Sequence, residues 1–311
     1  MKFVGIRCFF LVLAILASLG GHAATITLQP VADTTLAEFV PNNNLGGTEF
    51  VIAGSAGVNA NGARNRALYR FDLSPIPANS KIKSAKVRLE VAHSPPGAES
   101  SIFSLHRMMR AWGEGIKNST TESSPGLGFP ATTNEATWNS PFALSTNLWT
   151  SVGATDDFAP AASSSAGVLG LGDFPLFGST PQTVADAQAW LDDPASNFGW
   201  LLKTEAEEVF FTARRFGSRE FVGIDTNSPP FMEIEFIPPP EIFGTQIQGG
   251  QFTFSFFAEA EQNYVVEFKN ALAATNTWQT LTNISAQTPA NNILISDSLS
   301  ANAKFYRVVA P

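Results

Sequence analysis

The heptapeptide Ala85–Val91, AKVRLEV, alternates apolar and charged residues without a break. Successive side chains of a β-strand point to opposite faces of a sheet, so this alternation predicts a half-buried strand. We expect an apolar face against a core and a charged face toward water. The apolar face comprises Val87, Leu89 and Val91, and the charged face comprises Lys86, Arg88 and Glu90.

Two further segments have the same period of two. Tyr69, Phe71 and Leu73 form an apolar set, with Arg70 and Asp72 on the opposite face. The segment Phe231–Phe236 predicts a late strand with Met232, Ile234 and Phe236 inward. Only 15% of the residues are charged, whereas there are 26 Phe, 24 Gly and 20 Pro, a balance that favours short strands separated by turns. We therefore predict an all-β protein in which residues 24–237 form one large antiparallel β-sandwich.

Two stretches of this region depart from the strand pattern. Residues 119–178 are polar and rich in Gly, Ser, Pro and Ala, which predicts long loops on the sandwich. Residues 183–191 place Val184, Ala187 and Trp190 on one side of a helix that Pro194 ends, so we expect one short helix there.

Three consecutive prolines, Pro238–Pro240, mark a boundary, because proline cannot donate to a sheet. We interpret residues 238–243 as a linker. Beyond it, strand patterns at 252–256, 264–268 and 305–309 predict a second domain, 244–311, with a small immunoglobulin- or fibronectin-like β-sandwich.

The first 23 residues have the form of a secretory signal peptide. Lys2 and Arg7 precede an apolar run, Cys8–Leu19, and small residues follow it. The run is shorter than the ~20 residues that a membrane span needs. We therefore expect a protein without a membrane span that is secreted to the periplasm or the extracellular space, without its only cysteine.

The formal net charge of −8 becomes more negative by two when residues 1–23 are removed. Nucleic acids and anionic membranes attract cationic proteins, so we expect neither as a partner.

Four blocks of sequence, taken together, resemble the DNRLRE domain, a family that includes alginate-binding carbohydrate-binding modules of secreted bacterial proteins. The resemblance spans roughly residues 25–237, and its blocks occur in the family's order. They are Ala32-Asp33-Thr34 with Asn42–Gly46, Arg66–Leu73 with Ile82–Leu89, Trp112–Gly115 with Ala136–Asn139, and Trp190-Leu191 with Asn197–Lys203, Ser218–Glu220 and Pro229–Phe231.

The resemblance implies a jelly-roll sandwich that binds a polysaccharide, with an acidic glycan such as alginate as the first choice. Alginate-binding members use basic residues on a sheet face or groove. The tail, through Tyr264–Glu267, Trp278–Leu281 and Phe305–Val308, is similar to small modules at the ends of secreted bacterial proteins, which implies an accessory or cell-surface attachment role.

The family pattern makes the strands of Arg66, Arg70, Lys86 and Arg88 near neighbours, and these are the candidate ligand-binding cations. Guanidinium groups pair bidentately with carboxylates, which suits a uronate polymer. The alternative is cross-strand pairing with Asp72 and Glu90 on a solvated face.

Trp112 and Trp138 are candidate sugar-stacking residues, since an exposed indole offers a flat apolar face to a pyranose ring. The alternative is that each indole plugs a loop against the core.

Asp33 on the first strand and Glu233 or Glu235 on the last are candidate calcium ligands, because Ca²⁺ takes hard oxygen ligands. No Asp-rich loop of fixed spacing accompanies them.

Catalysis has little support in the sequence. After removal of the leader, His93 and His106 are the only histidines and no cysteine remains, so neither a His-rich metal site nor a thiol nucleophile is available. We therefore expect a non-catalytic carbohydrate-binding protein. The alternative is a cell-surface structural or adhesive protein that binds another protein.

Overall fold

The computed structural model describes residues 23–118, 126–221, 230–273, 275–298 and 303–311. The predicted signal peptide lies outside the described residues, except for Ala23. The chain divides into a large unit, Ala23–Pro239 with Val309–Pro311, and a small unit that includes Pro240–Val308.

The large unit is built from short strands and one α-helix. In chain order they are β1 (Ala24–Leu28), β2 (Pro30–Ala37), β3 (Asn43–Asn44), β4 (Phe50–Ser55), β5 (Arg64–Phe71), β6 (Lys81–Arg88), β7 (Val91–His93), β8 (Ser101–Arg107), β9 (Phe129–Pro130), β10 (Ser164–Val168), β11 (Leu176–Phe177), α1 (Pro181–Asp192), β12 (Trp200–Thr204), β13 (Arg214–Gly217) and β14 (Phe231–Ile237).

These strands form two main antiparallel sheets. One has four strands in the order β1-β14-β6-β11. The larger has the order β10-β8-β12-β5-β4-β13-β7, and β2 pairs with β5 as an additional strand. The predicted all-β, antiparallel sandwich fold is confirmed.

One apolar core lies between the sheets. Val87 of β6 and Ile234 of β14 enter it from the four-stranded sheet, and Tyr69 and Phe71 of β5 enter it from the larger one. The period-two pattern thus assigned these side chains to the correct side. The Tyr69 hydroxyl is satisfied within this core, because it donates to the Gly217 carbonyl at 2.7 Å.

The alternation in the heptapeptide Ala85–Val91 holds only as far as β6 extends. β6 ends at Arg88, and β7 begins at Val91 in the other sheet, next to β13. Leu89 and Glu90 lie at this crossover, where both are 1% exposed. The prediction that Glu90 faces water is therefore wrong, because the strand does not continue through it.

A second apolar cluster covers the outer face of the larger sheet. Leu68 and Leu201 project outward from β5 and β12 and pack against Trp112, Trp138 and Trp149. We call residues 108–158, in so far as the structure describes them, the covering segment. The covering segment is packed against the sheet, because its three indoles are at most 5% exposed.

The predicted helix is present as α1, which is slightly longer than expected. Thr180 caps it: its hydroxyl accepts from the backbone N–H groups of Gln182 and Thr183, and the Thr183 hydroxyl accepts from the Thr180 N–H. Such a reciprocal capping box satisfies donors that the first helical turn leaves free. The buried side of α1 includes Trp190 and Leu191, which join the central core.

The small unit contains six strands: β15 (Phe243–Gln248), β16 (Gln251–Ala258), β17 (Tyr264–Lys269), β18 (Gln279–Ile284), β19 (Asn291–Ser298) and β20 (Phe305–Val309). They form two three-stranded sheets, β15-β16-β19 and β18-β17-β20. Phe256 and Tyr264 join the sheets through an edge-to-face contact of 5.4 Å between ring centroids. The predicted small β-sandwich is thus confirmed.

None of the helices among the described residues is both long and apolar enough to span a membrane.

Candidate functional site

The four candidate cations do not share a surface. β5, with Arg66 and Arg70, belongs to the larger sheet, whereas β6, with Lys86 and Arg88, belongs to the four-stranded sheet. Both strands direct apolar side chains into the same core, so their polar faces lie on opposite sides of the sandwich. The expectation that these strands are near neighbours is wrong.

Arg66 holds the covering segment in place. Its Nε and Nη2 donate to the Glu207 carboxylate at 2.7 and 2.8 Å, and its Nη1 donates to the Gly153 carbonyl at 2.7 Å and to Thr155 Oγ1 at 2.9 Å. Its Cζ lies 5.4 Å from the ring centroid of Trp138. The Arg66 side chain is only 3% exposed. This burial corrects its assignment as a ligand-binding residue.

Trp112 and Trp138 are each 3% exposed. The Trp112 indole N–H donates to the Phe198 carbonyl at 2.8 Å. Neither indole presents a free face for stacking on a sugar ring, and both plug the covering segment against the sheet. The ligand-stacking prediction for this pair is therefore wrong, and the alternative holds.

The two candidate calcium ligands lie in different sheets. Asp33 is in β2 of the larger sheet, and Glu233 is in β14 of the other, where it accepts from Lys86 Nζ at 3.0 Å. They do not form a calcium site together, because they belong to different sheets of the sandwich. Over the described ranges, no group of three or more His, Cys, Asp or Glu residues is arranged to hold a metal ion.

Asp33 instead belongs to a buried carboxylate cluster. It is 1% exposed, and its Oδ2 accepts from the backbone N–H of Arg219 at 2.8 Å. Burial raises the pKa of the Asp33 carboxyl well above its usual value, and the nearby carboxylates of Glu220 and Glu114 raise it further. The Arg219 guanidinium binds Glu114 at 2.7 Å and Glu220 at 2.9 Å.

The raised pKa of Asp33 predicts a pH-dependent stability. The folded state holds the Asp33 proton more tightly than the unfolded state, so stability falls as pH rises from the unfolded pKa of about 3.9 through the folded one. We expect Asp33→Asn to be more stable than the wild type at pH 8, with the difference shrinking toward pH 4. Urea unfolding at both pH values measures this. An Asp33→Asn variant that loses stability only at pH 8 would contradict it and indicate a bound cation.

The outer face of the four-stranded sheet carries Lys86 and Arg88, together with neighbours that the strand register aligns. We call this exposed surface the β6 face. From one end to the other, its cross-strand rows are Thr25–Glu235–Ser84, Thr27–Glu233–Lys86 and Phe231–Arg88–Leu176.

Arg88 is held between aromatic rings at one end of the β6 face. Its Cζ lies 4.9 Å from the ring centroid of Phe174 and 5.9 Å from that of Phe231. Leu176, 54% exposed, lies beside it in the same row. In the described parts of the chain, Arg88 makes no ion pair and no hydrogen bond through its guanidinium. Its donors are therefore free for a ligand, while the rings restrict its orientation.

The remaining cations of β6 differ in their surroundings. Lys86 pairs with Glu233 at 3.0 Å, and both side chains are about 40% exposed. Lys83 is exposed at a point where the register between β6 and β14 shifts. β6 thus carries four cations, Lys81, Lys83, Lys86 and Arg88, against the carboxylates of Glu233 and Glu235.

Sequence reasoning missed two residues that orient Arg88. Phe231 was assigned to the last strand, but its pairing with Arg88 depends on which strands are neighbours. Phe174 lies in the loop-rich region, where no periodicity marks it. The one signal in the sequence was the group of apolar residues around it, such as Leu171 and Leu176, which are exposed in the structure.

His106 is 4% exposed and packs against Phe158 at 5.1 Å between ring centroids. Its Nδ1 lies 2.9 Å from the Ala159 carbonyl, which makes Nδ1 the protonated nitrogen in the neutral ring. Burial lowers the pKa of His106. This arrangement favours a neutral structural histidine.

Two of the sequence blocks behind the family resemblance meet at Asn44. Its side-chain N–H groups donate to the carbonyls of Glu114 and Ala136 at 2.7 and 3.0 Å, and its Oδ1 accepts from the Gly46 N–H at 3.0 Å. A Cβ on Gly46 would lie 2.0 Å from the Glu114 carbonyl oxygen, so only glycine fits. These motif residues therefore stabilise the fold. No family model and no curated protein matches the chain, and the relation to the DNRLRE domain stays a prediction.

Proposed function

We propose that this protein is an exported, non-catalytic binder of an acidic polysaccharide, such as a uronate polymer, and that the β6 face is the binding surface. The observation that carries the proposal is Arg88. It is a guanidinium without a carboxylate partner in the described residues, held on an open sheet face by Phe174 and Phe231.

The charge distribution supports an anionic ligand. The whole chain has a formal net charge of −8, yet β6 alone carries four basic residues. Residues two apart on a strand are about 7 Å apart, so Arg88 lies in line with Lys86, whose ammonium group also pairs with Glu233. A linear polyanion contacts such a row along its length, whereas a nucleic acid normally requires a larger basic surface.

The shape of the β6 face supports a polymer rather than a small molecule. Its rows are open, with Thr25, Thr27 and Glu235 exposed. Leu176 and the two phenylalanines add apolar area beside Arg88, against which the C–H groups of a sugar ring can pack. Hydrogen bonds between an arginine and a carboxylate then provide orientation.

The experiment is a titration with alginate and, in parallel, with a neutral glucan. Loss of a hydrogen bond to a charged group costs roughly 1.5–3 kcal/mol, so we expect Arg88→Ala to bind alginate about ten- to a hundredfold more weakly. The alginate affinity of Arg88→Lys should lie between those of the wild type and Arg88→Ala, because lysine retains the charge but not the planar fork of donors. Higher salt should weaken binding, because exposed charges are screened over about 8 Å at physiological ionic strength.

Arg110→Ala is the matched control, since it removes an equally charged arginine that pairs with Asp157 elsewhere. Melting temperatures check folding, and a reducing-end assay on the same samples should detect no cleavage. Unchanged alginate affinity in folded Arg88→Ala would reject the β6 face. Binding of an acidic protein through the same residues, without any glycan binding, would favour the adhesive alternative.

A further inference from the structure

A cleft of ≈ 470 Å³ lies around Arg70, at the end of β5. Three parts of the fold meet there: the end of β5 with the turn that follows it, the end of α1, and Val31 of β2. The register between β2 and β5 shifts between Pro30 and Ala32. Val31 is thus the extra residue of a bulge, which directs a 45% exposed side chain to the cleft.

Arg70 is a half-buried cation with a fixed orientation. Its Cζ lies 5.4 Å from the ring centroid of Trp112, and Trp112 is itself held by its hydrogen bond to the Phe198 carbonyl. Within the ranges that the structure describes, the Arg70 guanidinium makes no ion pair and no hydrogen bond. It offers only donors, in a planar fork that matches a carboxylate.

Asp72 supplies the opposite chemistry on the same side of the strand. Its oxygens accept from the Ser74 N–H at 2.9 Å and from Ser74 Oγ at 2.7 Å, which fixes the carboxylate at the turn. No ion pair joins Asp72 to Arg70 at 4.0 Å or less. A carboxylate with remaining lone pairs accepts hydrogen bonds from hydroxyl groups. The cleft therefore presents donors from Arg70 and acceptors from Asp72.

The walls between these groups are mostly apolar. Ile76, Leu191 and Pro194 line the cleft, together with Trp190. Trp190 is 1% exposed, and its indole N–H has no hydrogen-bond partner. Clefts of this size with apolar walls and a few convergent polar groups are typical sites for small ligands.

We propose that this cleft binds one hexuronic acid unit, with the ligand carboxylate on Arg70, ring hydroxyls on Asp72 and the C–H face of the ring against the apolar walls. The ligand is a free monosaccharide or the end of a uronate chain. The cleft is distinct from the β6 face, because none of the residues that line it belongs to that face.

The test is a calorimetric titration of the full chain with glucuronic acid, and with glucose and acetate as controls. Glucuronate should bind, whereas glucose lacks the carboxylate and acetate lacks the hydroxyls, so both should bind at least tenfold more weakly. Arg70→Ala should weaken glucuronate binding at least tenfold, and Asp72→Asn by a smaller factor. Arg110→Ala, which removes an arginine that lines neither the cleft nor the β6 face and pairs with Asp157, should leave it unchanged.

Arg70→Lys serves as a second variant if Arg70→Ala fails to fold, and it should also bind more weakly. A uronate trisaccharide that binds more tightly than the monosaccharide, and loses affinity in Arg70→Ala, indicates a chain end, while equal affinities indicate a free sugar. Equal binding of acetate, no binding of glucuronate by the wild type, or unchanged affinity in the Arg70 variants would overturn the proposal. If Arg88→Ala loses alginate binding and the Arg70 variants do not, that result tests the proposal for the β6 face and not the proposal for the cleft.

Discussion

Replacing Arg66 by alanine is expected to lower the free energy of unfolding by about 3–5 kcal/mol, the usual cost of breaking a buried ion pair by removing one partner. The variant leaves the Glu207 carboxylate without its bidentate partner, and Glu207 is only 14% exposed. It also leaves the Gly153 carbonyl without its donor and removes the cation from the face of Trp138. Urea unfolding followed by tryptophan fluorescence measures the effect.

Arg64→Ala is the matched control for this experiment. Arg64 is on the same strand, pairs with Glu38 at 2.6 Å and also lies 5.4 Å from the Trp138 ring centroid, but both partners of its ion pair are about one-third exposed. Partly exposed pairs contribute about 0.2–1 kcal/mol. If both variants lost the same free energy of unfolding, the burial of Arg66 would add no stability. That result would contradict the conclusion that Arg66 holds the covering segment in place.

The contrast between these arginines shows what alternation along a strand can and cannot predict. The pattern of Tyr69, Phe71 and Leu73 correctly identified the side of β5 that faces the core. It also placed Arg70 on the opposite side, which is correct, and Arg66 lies on that same side. The alternation could not reveal that the covering segment lies over the outer face of β5 at Arg66, whereas Arg70 on the same face borders the cleft.

Alternation also does not say which sheet a strand joins. In a sandwich, the outer faces of both sheets point away from one core, so the cations of β5 and β6 gave the same signal although they lie on opposite surfaces. The decision depends on long-range pairing, such as β6 with β14, whose residues are about 150 positions apart. The same limit explains Glu90, where the chain leaves one sheet for the other.

Some features of the covering segment were readable in the sequence. Trp112, Trp138 and Trp149 occur within 38 residues of a region otherwise poor in strand patterns. Because large aromatic side chains are rarely left exposed, such a density indicates a packed layer. The helix was predictable for local reasons, since Thr180 and Pro181 form a start signal. Two partners of its one buried carboxylate, Ser163 and Trp200, were not, since they lie outside the helix.

That carboxylate, Asp186, carries the other large expected effect: Asp186→Ala should destabilise the protein by about 2–4 kcal/mol, because a buried donor that loses its acceptor costs about 1–3 kcal/mol and a cavity adds to this. Asp186 is 0% exposed. Its Oδ2 accepts from Ser163 Oγ at 2.6 Å and from the Trp200 indole N–H at 2.9 Å, and its Oδ1 accepts from Gln182 Nε2 at 2.8 Å. Alanine removes the acceptor of the buried Ser163 hydroxyl and the nearer of the two acceptors of the Trp200 indole N–H, and it opens a small cavity beside α1. Chemical denaturation monitored by circular dichroism gives the difference.

Asp192→Ala is the matched control, because Asp192 is on the same helix but exposed, where it accepts only from Gln188 at 3.0 Å. The free energy of unfolding of Asp192→Ala should differ from that of the wild type by no more than about 0.5 kcal/mol.

Since α1 contributes Trp190 and Leu191 to the cleft, a loosened helix should also weaken glucuronate binding in Asp186→Ala, although Asp186 does not line the cleft. If Asp186→Ala were as stable as Asp192→Ala, the hydrogen bonds of this carboxylate would not be what fixes α1 against β12. The cleft would then owe its shape to the apolar contacts of Trp190 with Trp200, whose ring centroids are 4.5 Å apart.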